Sequence, residues 1–233
     1  RRSLATAIFA ALLFQVSAAA DLPPDLVTIR ILHTNDIHGH ILPEPDLRAG
    51  TTPPPMLGGA ASLATALTQY RQEPMFGHIP DIVLYVDAGD IFQGTPEGTL
   101  TRGTAMVELF RKLGLNVMAA GNHDFDFGPE NFQDLAIRLG QHPNPIPVVG
   151  MNMYGTKARG DFGLARHVHF NFFDNHRRVR IDVLGWITDD MASVTTADSR
   201  RGIDFFPSLE TARHEVAAVR DTSDLVIAVT HAG

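Results

Sequence analysis

The chain has 233 residues, of which 44% are hydrophobic and 19% charged, proportions typical of a globular protein with one sizeable core. Its formal net charge of −7 excludes attraction of nucleic acid polymers or anionic membranes through overall charge, so an anionic substrate would need a local positive charge. Cysteine is absent, which excludes disulfides, thiol catalysis and cysteine metal sites.

The first twenty residues differ in character from the rest of the chain. The stretch "RRSLATAIFAALLFQVSAAAD" has a basic start, an apolar middle from Leu4 to Phe14 and a small-residue end. This three-part pattern predicts a secretory signal peptide, residues 1–20, cleaved after Ala20, and therefore a periplasmic or extracellular protein. The alternative is an uncleaved membrane anchor, but the apolar run is short and interrupted by Gln15, so no stable anchor is expected.

Apolar strand patterns then alternate with helical patterns, and a loop rich in Pro and Gly from Pro43 to Gly59 follows the first strand. The predicted strands are "DLVTIRILHTND", "DIVLYVDAGD", "LNVMAAGNHD", "PIPVVGMN" and "SDLVIAVTHAG", and the predicted helices are "ASLATALTQYR", "TAMVELFRKLG", "GPENFQDLAIRLG" and "SLETARHEVAAVR". The segments "RHVHFNFF" and "RRVRIDVLGWI" predict an antiparallel pair joined around "DNHR". This order favours an α/β domain with a mixed sheet.

Four of the strands end in residue types that bind metals or take part in catalysis. These ends are "NDIHGH", "DAGD", "GNHD" and "THAG". In open α/β sheets the strand ends converge on a crevice where ligands bind, so we expect the four ends to meet in space.

In "NDIHGH", Asp36 and His38 are two residues apart, and an extended segment would point both side chains to one side. A carboxylate and an imidazole there suit a divalent metal. The alternative is a turn in which Asp36 caps backbone N–H groups. His40 either lines the site or is exposed, and His33, inside the strand pattern, is expected to be structural.

In "DAGDIFQG", Asp90 can bridge two cations, because a carboxylate has two oxygens. The alternative is an ordinary Asp-Gly turn. Asp87 belongs to the strand and is expected to be structural.

In "GNHDFDFG", Asn122 offers a neutral carbonyl oxygen as a metal ligand. His123 and Asp126 are three apart, so a turn can bring the carboxylate onto the imidazole and fix its tautomer. The alternative is a polar turn capped by the Asp residues, and Asp124 is expected to be structural. His231 follows the apolar strand in "VIAVTHAG", the fourth strand that ends in such a residue type, and is therefore a further candidate ligand.

These blocks, in this order, resemble the catalytic domain of the bacterial periplasmic 5′-nucleotidase family, part of the calcineurin-like metallophosphoesterases. The resemblance is carried by "LHTNDIHGH", "GGAASLATAL", "VDAGDIFQGTPEG", "AAGNHDFDFG", "VVGMN" and "LVIAVTHAG", and extends from Val27 to the last residue. It implies an α/β fold of two packed mixed β-sheets flanked by helices, a four-layer sandwich, over residues 21–233.

The resemblance also implies roles for individual residues. Two divalent metal ions are expected, and each could be Zn, Mn, Mg, Co or Ca. Asp36, His38 and Asp90 resemble the ligands of the first ion. Asp90 would bridge to a second ion held by Asn122 and His231. His123 resembles the catalytic histidine of the family, which faces the phosphate. Asp126 would hold it in position.

The function implied is release of phosphate from a small phosphorylated substrate, a nucleotide, by metal-activated water. The alternatives are the same site acting on 2′,3′-cyclic nucleotides, UDP-sugars or thiosulfate-type conjugates, or a non-catalytic metal-binding module. A degenerate relative would be expected to lose His123 or Asp90, and both are present. Family members continue with a "GHxH"-type block and a second, substrate-binding domain, so we expect a fragment that is incomplete at its C-terminus and has little or no activity alone.

Overall fold

Two β-sheets face each other, and helices cover their outer surfaces. The computed structural model describes residues 26–141, 143–156, 164–174 and 177–232, and the predicted signal peptide lies outside them. The strands are β1 (Ile29–Thr34), β2 (Glu44–Pro45), β3 (Met56–Leu57), β4 (Ile82–Asp87), β5 (Val117–Ala119), β6 (Val148–Val149), β7 (Met153–Gly155), β8 (His167–Asp174), β9 (Arg177–Ile187), β10 (Ile203–Phe205) and β11 (Leu225–His231). The helices are α1 (Gly59–Gln72), α2 (Pro96–Leu100), α3 (Thr104–Leu113), α4 (Pro129–Leu139), α5 (Met191–Val194) and α6 (Ser208–Val219).

The first sheet has the order β1-β4-β5-β6, and its strand pairs are all parallel. The second has the order β11-β9-β8, in which β11 runs parallel to β9 and β8 runs antiparallel to it. The antiparallel pair predicted from the sequence is therefore confirmed. The predicted α/β fold of two packed sheets flanked by helices is confirmed, and within the described residues the first sheet is parallel and the second is mixed. Two short pairs, β2 with β3 and β7 with β10, complete the strands of the described residues.

Side chains that alternate along β4 pack into two different hydrophobic clusters, one on each face of the sheet. Leu84 and Val86 point into the apolar layer between the sheets, where they meet Val183 of β9. Tyr85, between them, packs on the other side, where Phe110 of α3 belongs to the same cluster. Each fully buried apolar side chain of this kind contributes about 1.5–3 kcal/mol. On the outer face of the second sheet, α6 covers β9 and β11 through a smaller cluster.

Helix ends lie where the residue types predict them. Gly114 follows α3 in the left-handed conformation, with φ of 69°, and its N–H reaches back to the carbonyl groups of the last turn. Pro129 occupies the first turn of α4, where its missing N–H costs nothing. The layers thus place the carboxyl ends of β1, β4, β5 and β11 at one edge of the molecule.

Candidate metal centre

The loops after β1 and β4 run side by side and hold each other in place. The N–H of Asp36 donates to the carbonyl of Gly89 at 2.9 Å, and the N–H of His38 donates to the carbonyl of Asp90 at 3.0 Å. Asp36 and His38 both have positive φ, 53° and 48°, so the chain curls here. The expectation of an extended segment was wrong, although the curl still brings the two side chains together, 3.6 Å apart between Nε2 and Oδ1.

The five predicted metal-binding side chains form one connected cluster around Asp90. Its Oδ2 lies 3.8 Å from Nε2 of His38 and 3.3 Å from Nε2 of His231. His231 Nε2 lies in turn 2.9 Å from Oδ1 of Asn122. Asp36, Asp90 and His231 each have a ligand atom within 4.8 Å of those of the other two, which is close enough for metal binding at this cluster.

The two histidines are oriented by backbone carbonyl groups. Nδ1 of His38 is 2.6 Å from the carbonyl of Gln93, and Nδ1 of His231 is 3.0 Å from that of Ala88. A proton on each Nδ1 leaves Nε2 as a lone-pair donor, the arrangement typical of metal-binding histidine. Nε2 of His231 then faces oxygens of Asp90 and Asn122, so a cation between these groups would replace unfavourable contacts between lone pairs. The donor set of carboxylate, imidazole and amide oxygen therefore fits a divalent ion of hard or borderline character.

The charge state of Asp90 is set by its neighbours. Burial alone would raise the pKa of Asp90, but the hydrogen bond and charge of His231, with the backbone N–H of His123, hold it below its usual range. The His123 N–H donates to Oδ1 of Asp90 at 2.7 Å. The hydrogen bond to Asp90 in turn raises the pKa of His231, against the effect of burial. Asp90 is therefore an anion at neutral pH, as a metal ligand must be.

Glycine is required where the loops after β4 and β5 cross. A Cβ on Gly89 would lie 2.1 Å from the nitrogen of Gly121, and a Cβ on Gly121 would lie 2.2 Å from Oδ1 of Asp90. Both distances are far below van der Waals contact. Only glycine allows the two strand ends to approach this closely.

Two buried carboxylates support the cluster from beneath. Asp124 accepts hydrogen bonds from the N–H groups of Asp90, Ile91 and Gly121 at 2.9–3.1 Å and so joins two of the loops. Asp87 accepts the Thr34 hydroxyl at 2.6 Å. Burial raises the pKa of Asp87 to about 7 and that of Asp124 to about 6. Their bonds to backbone and hydroxyl groups agree with the structural role expected for both.

His123 and Asp126 form a pair at the edge of the cluster. Nδ1 of His123 lies 2.7 Å from Oδ2 of Asp126, and the His123 side chain is 40% exposed. Its ring centroid is 5.4 Å from that of His38. Burial would lower the pKa of His123, but the hydrogen bond and the charge of Asp126, together with nearby Asp90, raise it. The pair leaves Nε2 of a readily protonated imidazole beside the metal-binding residues.

The remaining histidines of the described residues lie outside this cluster. His40 pairs with Glu44 at 2.9 Å and does not join it. His33 is exposed on the edge strand β1, so the expectation of a structural histidine there was wrong. The orienting carbonyl groups of Gln93 and Ala88 were not predicted, because main-chain groups leave no trace in residue identity. The other histidines are His78, His167, His169 and His214, while His142 and His176 lie outside the described residues.

The described part of the chain contains no helix with the length and apolar character needed to span a membrane.

Comparison with known proteins gives consistent results. The family model "Calcineurin-like phosphoesterase" matches residues 29–233. A 5′-nucleotidase of Vibrio vulnificus is 29% identical over an alignment covering 98% of this chain and 39% of that protein. Among solved structures, a 5′-nucleotidase precursor from Thermus thermophilus gives a TM-score of 0.72 at 24% identity, covering 88% of this chain and 37% of that one. A sulfate thiohydrolase from Thermus thermophilus gives 0.70 at 16% identity, covering 91% and 45%.

The two structural likenesses lie below 25% identity and show the fold alone: an α/β sandwich like that of the 5′-nucleotidases. The chain spans 39% of the length of the Vibrio vulnificus relative.

Proposed function

Because the chain belongs to the calcineurin-like phosphoesterase family, we propose that it provides the metal centre of a metal-dependent phosphoric ester hydrolase acting as a 5′-nucleotidase. The observation that carries the proposal is the cluster that four other ligand-type side chains form around Asp90, with the His123–Asp126 pair beside them. The nucleotide as substrate is supported by the 5′-nucleotidases among the relatives.

We propose that Asp36, His38 and Asp90 would hold one divalent ion, and that Asn122 and His231, together with Asp90, would hold a second. A phosphate monoester is dianionic and hydrolyses very slowly without a catalyst. Divalent ions, when bound, supply the positive charge that polarises the phosphate and acidifies the attacking water. The carboxylate and imidazole groups of the chain fix the position of that charge, and the backbone carbonyls behind the imidazoles fix their orientation.

His123 would act on the substrate itself. Asp126 holds Nδ1 of His123 and favours its protonated form, so Nε2–H can donate to a phosphoryl or leaving-group oxygen. His123 is anchored through its own backbone N–H to Asp90, which ties the proton donor to the metal ligands. Proton donation of this kind accounts for about 10²–10⁴-fold in rate.

We also propose that residues 1–20 are a signal peptide, that residues 21–233 belong to one catalytic domain, and that the protein is periplasmic or otherwise secreted. The support is the three-part pattern of the N-terminal sequence. N-terminal sequencing of the exported protein should begin at Asp21. A mature protein that retains Leu4 to Phe14 would contradict cleavage.

The test of function uses the protein at its full natural length. His123→Ala should lower phosphate release from a nucleoside 5′-monophosphate by about 10²–10⁴-fold, while the metal content stays near that of the unaltered protein. A matched control is His214→Ala, which removes a histidine that is 79% exposed on α6. It should leave both quantities unchanged. Unaltered turnover in His123→Ala would contradict the role proposed for His123. Failure of the full-length protein to bind metal would contradict the proposed metal-dependent hydrolysis.

The alternatives have less support. A non-catalytic module is disfavoured because His123, Asp126 and Asp90 are all present and in mutual contact. For cyclic nucleotides, UDP-sugars or thiosulfate-type conjugates, no feature of the described residues gives specific support.

A further inference from the structure

Asp87, the last residue of β4, is a fully buried carboxylate whose hydrogen-bond partners among the described residues are neutral. Its Oδ2 accepts the Thr34 hydroxyl at 2.6 Å, and its Oδ1 accepts the N–H of Gly89 at 2.9 Å. Burial raises its pKa to about 7. A buried charge with neutral partners is costly, and an amide of the same shape would avoid the cost. The carboxylate therefore calls for an explanation beyond packing.

One peptide group connects Asp87 to His231. The peptide between Ala88 and Gly89 donates its N–H to Oδ1 of Asp87, and its C=O lies 3.0 Å from Nδ1 of His231. Because a peptide group is planar and rigid, the carboxylate fixes the direction in which this C=O points. The negative charge also polarises the peptide and strengthens its carbonyl as an acceptor for Nδ1–H. Asp87 thereby favours the tautomer of His231 whose Nε2 binds a metal.

The same loop connects Asp87 to Asp36. The C=O of Gly89, whose N–H is held by Asp87, accepts the N–H of Asp36 at 2.9 Å. The Thr34 hydroxyl on Asp87 ties the end of β1 to the end of β4, immediately before the curl at Asp36. Asp87 therefore supports one candidate ligand of each proposed ion, Asp36 and His231.

The opposite end of the same strand pair provides a comparison. There Asp81, just before β4, accepts the Thr28 hydroxyl at 2.7 Å, as Asp87 accepts that of Thr34. The strands are parallel, so the two Thr–Asp pairs lie at opposite ends of β1 and β4. The bonds from Thr28 lower the pKa of Asp81, whereas burial raises that of Asp87. Asp81 is therefore a matched control for Asp87, away from the metal-binding loops.

We propose that Asp87 is a positioning residue of the metal centre, acting through the peptide between Ala88 and Gly89 on His231 and Asp36. The inference rests on the proposed function, because it takes these two side chains as metal ligands. The carboxylate acts only through backbone groups and touches neither metal nor substrate. Without its charge, the C=O of Ala88 is held less firmly, and His231 loses part of the restraint that directs its Nε2 at the cation site.

The experiment titrates Co²⁺ into the metal-free protein of full natural length, in competition with a chelator, at about pH 8, above the pKa of Asp87. Asp87→Asn keeps the size of the side chain and an acceptor for the Gly89 N–H but removes the charge. We expect about 10- to 100-fold lower Co²⁺ affinity. The visible absorption bands of bound Co²⁺ should also change, because an imidazole ligand changes its orientation. A purely structural role would lower stability without altering these bands in the folded, loaded protein.

Asp81→Asn is the control, and it should leave both the Co²⁺ affinity and the absorption bands unchanged. Thr34→Val and Thr28→Val repeat the comparison from the partner side, and they decide it if Asp87→Asn does not fold. Thr34→Val should weaken Co²⁺ binding, and Thr28→Val should not. Unchanged affinity and bands in the Asp87 or Thr34 variant, or an equal loss in its control, would overturn the inference.

A phosphate assay on the same samples separates failure of this inference from failure of the proposed function. Unaltered protein that binds Co²⁺ but releases no phosphate from a nucleoside 5′-monophosphate would contradict the proposed function, while the Co²⁺ measurements still decide the role of Asp87. Phosphate release together with undiminished Co²⁺ affinity in Asp87→Asn would contradict only the role of Asp87. Absence of Co²⁺ binding by the unaltered protein would overturn both.

Discussion

Buried acidic groups occur in two regions of this protein, and their partners differ. In the second sheet, the carboxylate of Asp182 is fully buried and is bonded by Arg180 at 2.8 Å and by the Ser223 hydroxyl at 2.6 Å. Glu215 of α6 is matched by Arg166 at 3.0 Å. In the metal centre, the ion pairs found for Asp90 among the described residues are with histidines.

The difference shows how a structural carboxylate can be told from one that binds a cation. A buried charge needs compensation, and an arginine supplies it permanently. Histidine supplies it only when protonated, and a protonated histidine cannot bind a metal. Asp90 is therefore compensated in a way that a divalent ion can replace, whereas Asp182 is not. The predictions below test this contrast, from the largest expected effect to the smallest.

Removing the shared carboxylate should have the largest effect. In Asp90→Ala, we expect metal content to fall and phosphate release to drop by about 10³-fold, because the other ligands and the His123 N–H lose their common partner. Elemental analysis and a phosphate assay measure the two effects. Full occupancy of two metal sites in this variant would contradict the assignment of Asp90 as the bridge.

Removing the structural carboxylate should affect stability instead. Asp182→Asn removes the charge partner of Arg180, whose side chain is 23% exposed, and we expect a lower free energy of unfolding. Urea unfolding measures the loss. Metal content per folded chain should stay unchanged. Metal loss in the folded Asp182→Asn protein would contradict the distinction between Asp90 as a metal ligand and Asp182 as a structural carboxylate.

Replacing Asp124 should have an effect on metal binding between those of Asp90→Ala and Asp182→Asn. Its hydrogen bonds are structural, but it lies next to the metal-binding residues. Asp124→Asn replaces an acceptor that holds three N–H groups with an amide that cannot accept all of them equally. We expect metal affinity to fall by about 10- to 100-fold, as for other groups that orient ligands. Competition with a chelator measures it. Unchanged affinity would mean that the loops keep their positions without this carboxylate.

The smallest effect concerns pH. Burial would raise the pKa of Asp182, but the hydrogen bonds from Arg180 and Ser223 lower it below its usual 3.8. A carboxyl group whose pKa is lower in the folded than in the unfolded state stabilises the fold above the unfolded value. This contribution is lost as the pH falls through the folded value. Below about pH 4, the unaltered protein should therefore lose stability more steeply than Asp182→Asn. Parallel slopes in urea unfolding across pH 2–5 would contradict this.

Much of the fold was predictable because it depends on short-range patterns. The alternation in β4 separates Leu84 and Val86 from Tyr85, and Gly114 marks the end of α3 by its left-handed backbone. The short elements β2, β3, β7, β10, α2 and α5 were not predicted. With two to five residues each, they contain too little of a repeat to show a period, and tertiary contacts stabilise them.

For the candidate site, the sequence by itself determined which side chains are available and which strand ends carry them. Only the tertiary structure gave the direct contact of 2.9 Å between His231 and Asn122, which are 109 residues apart, and the curl through which Asp36 and His38 meet. The physical reason is that residue types specify local conformation and chemistry. Distances between remote segments, and the backbone carbonyls that orient each imidazole, depend on how the sheets pack.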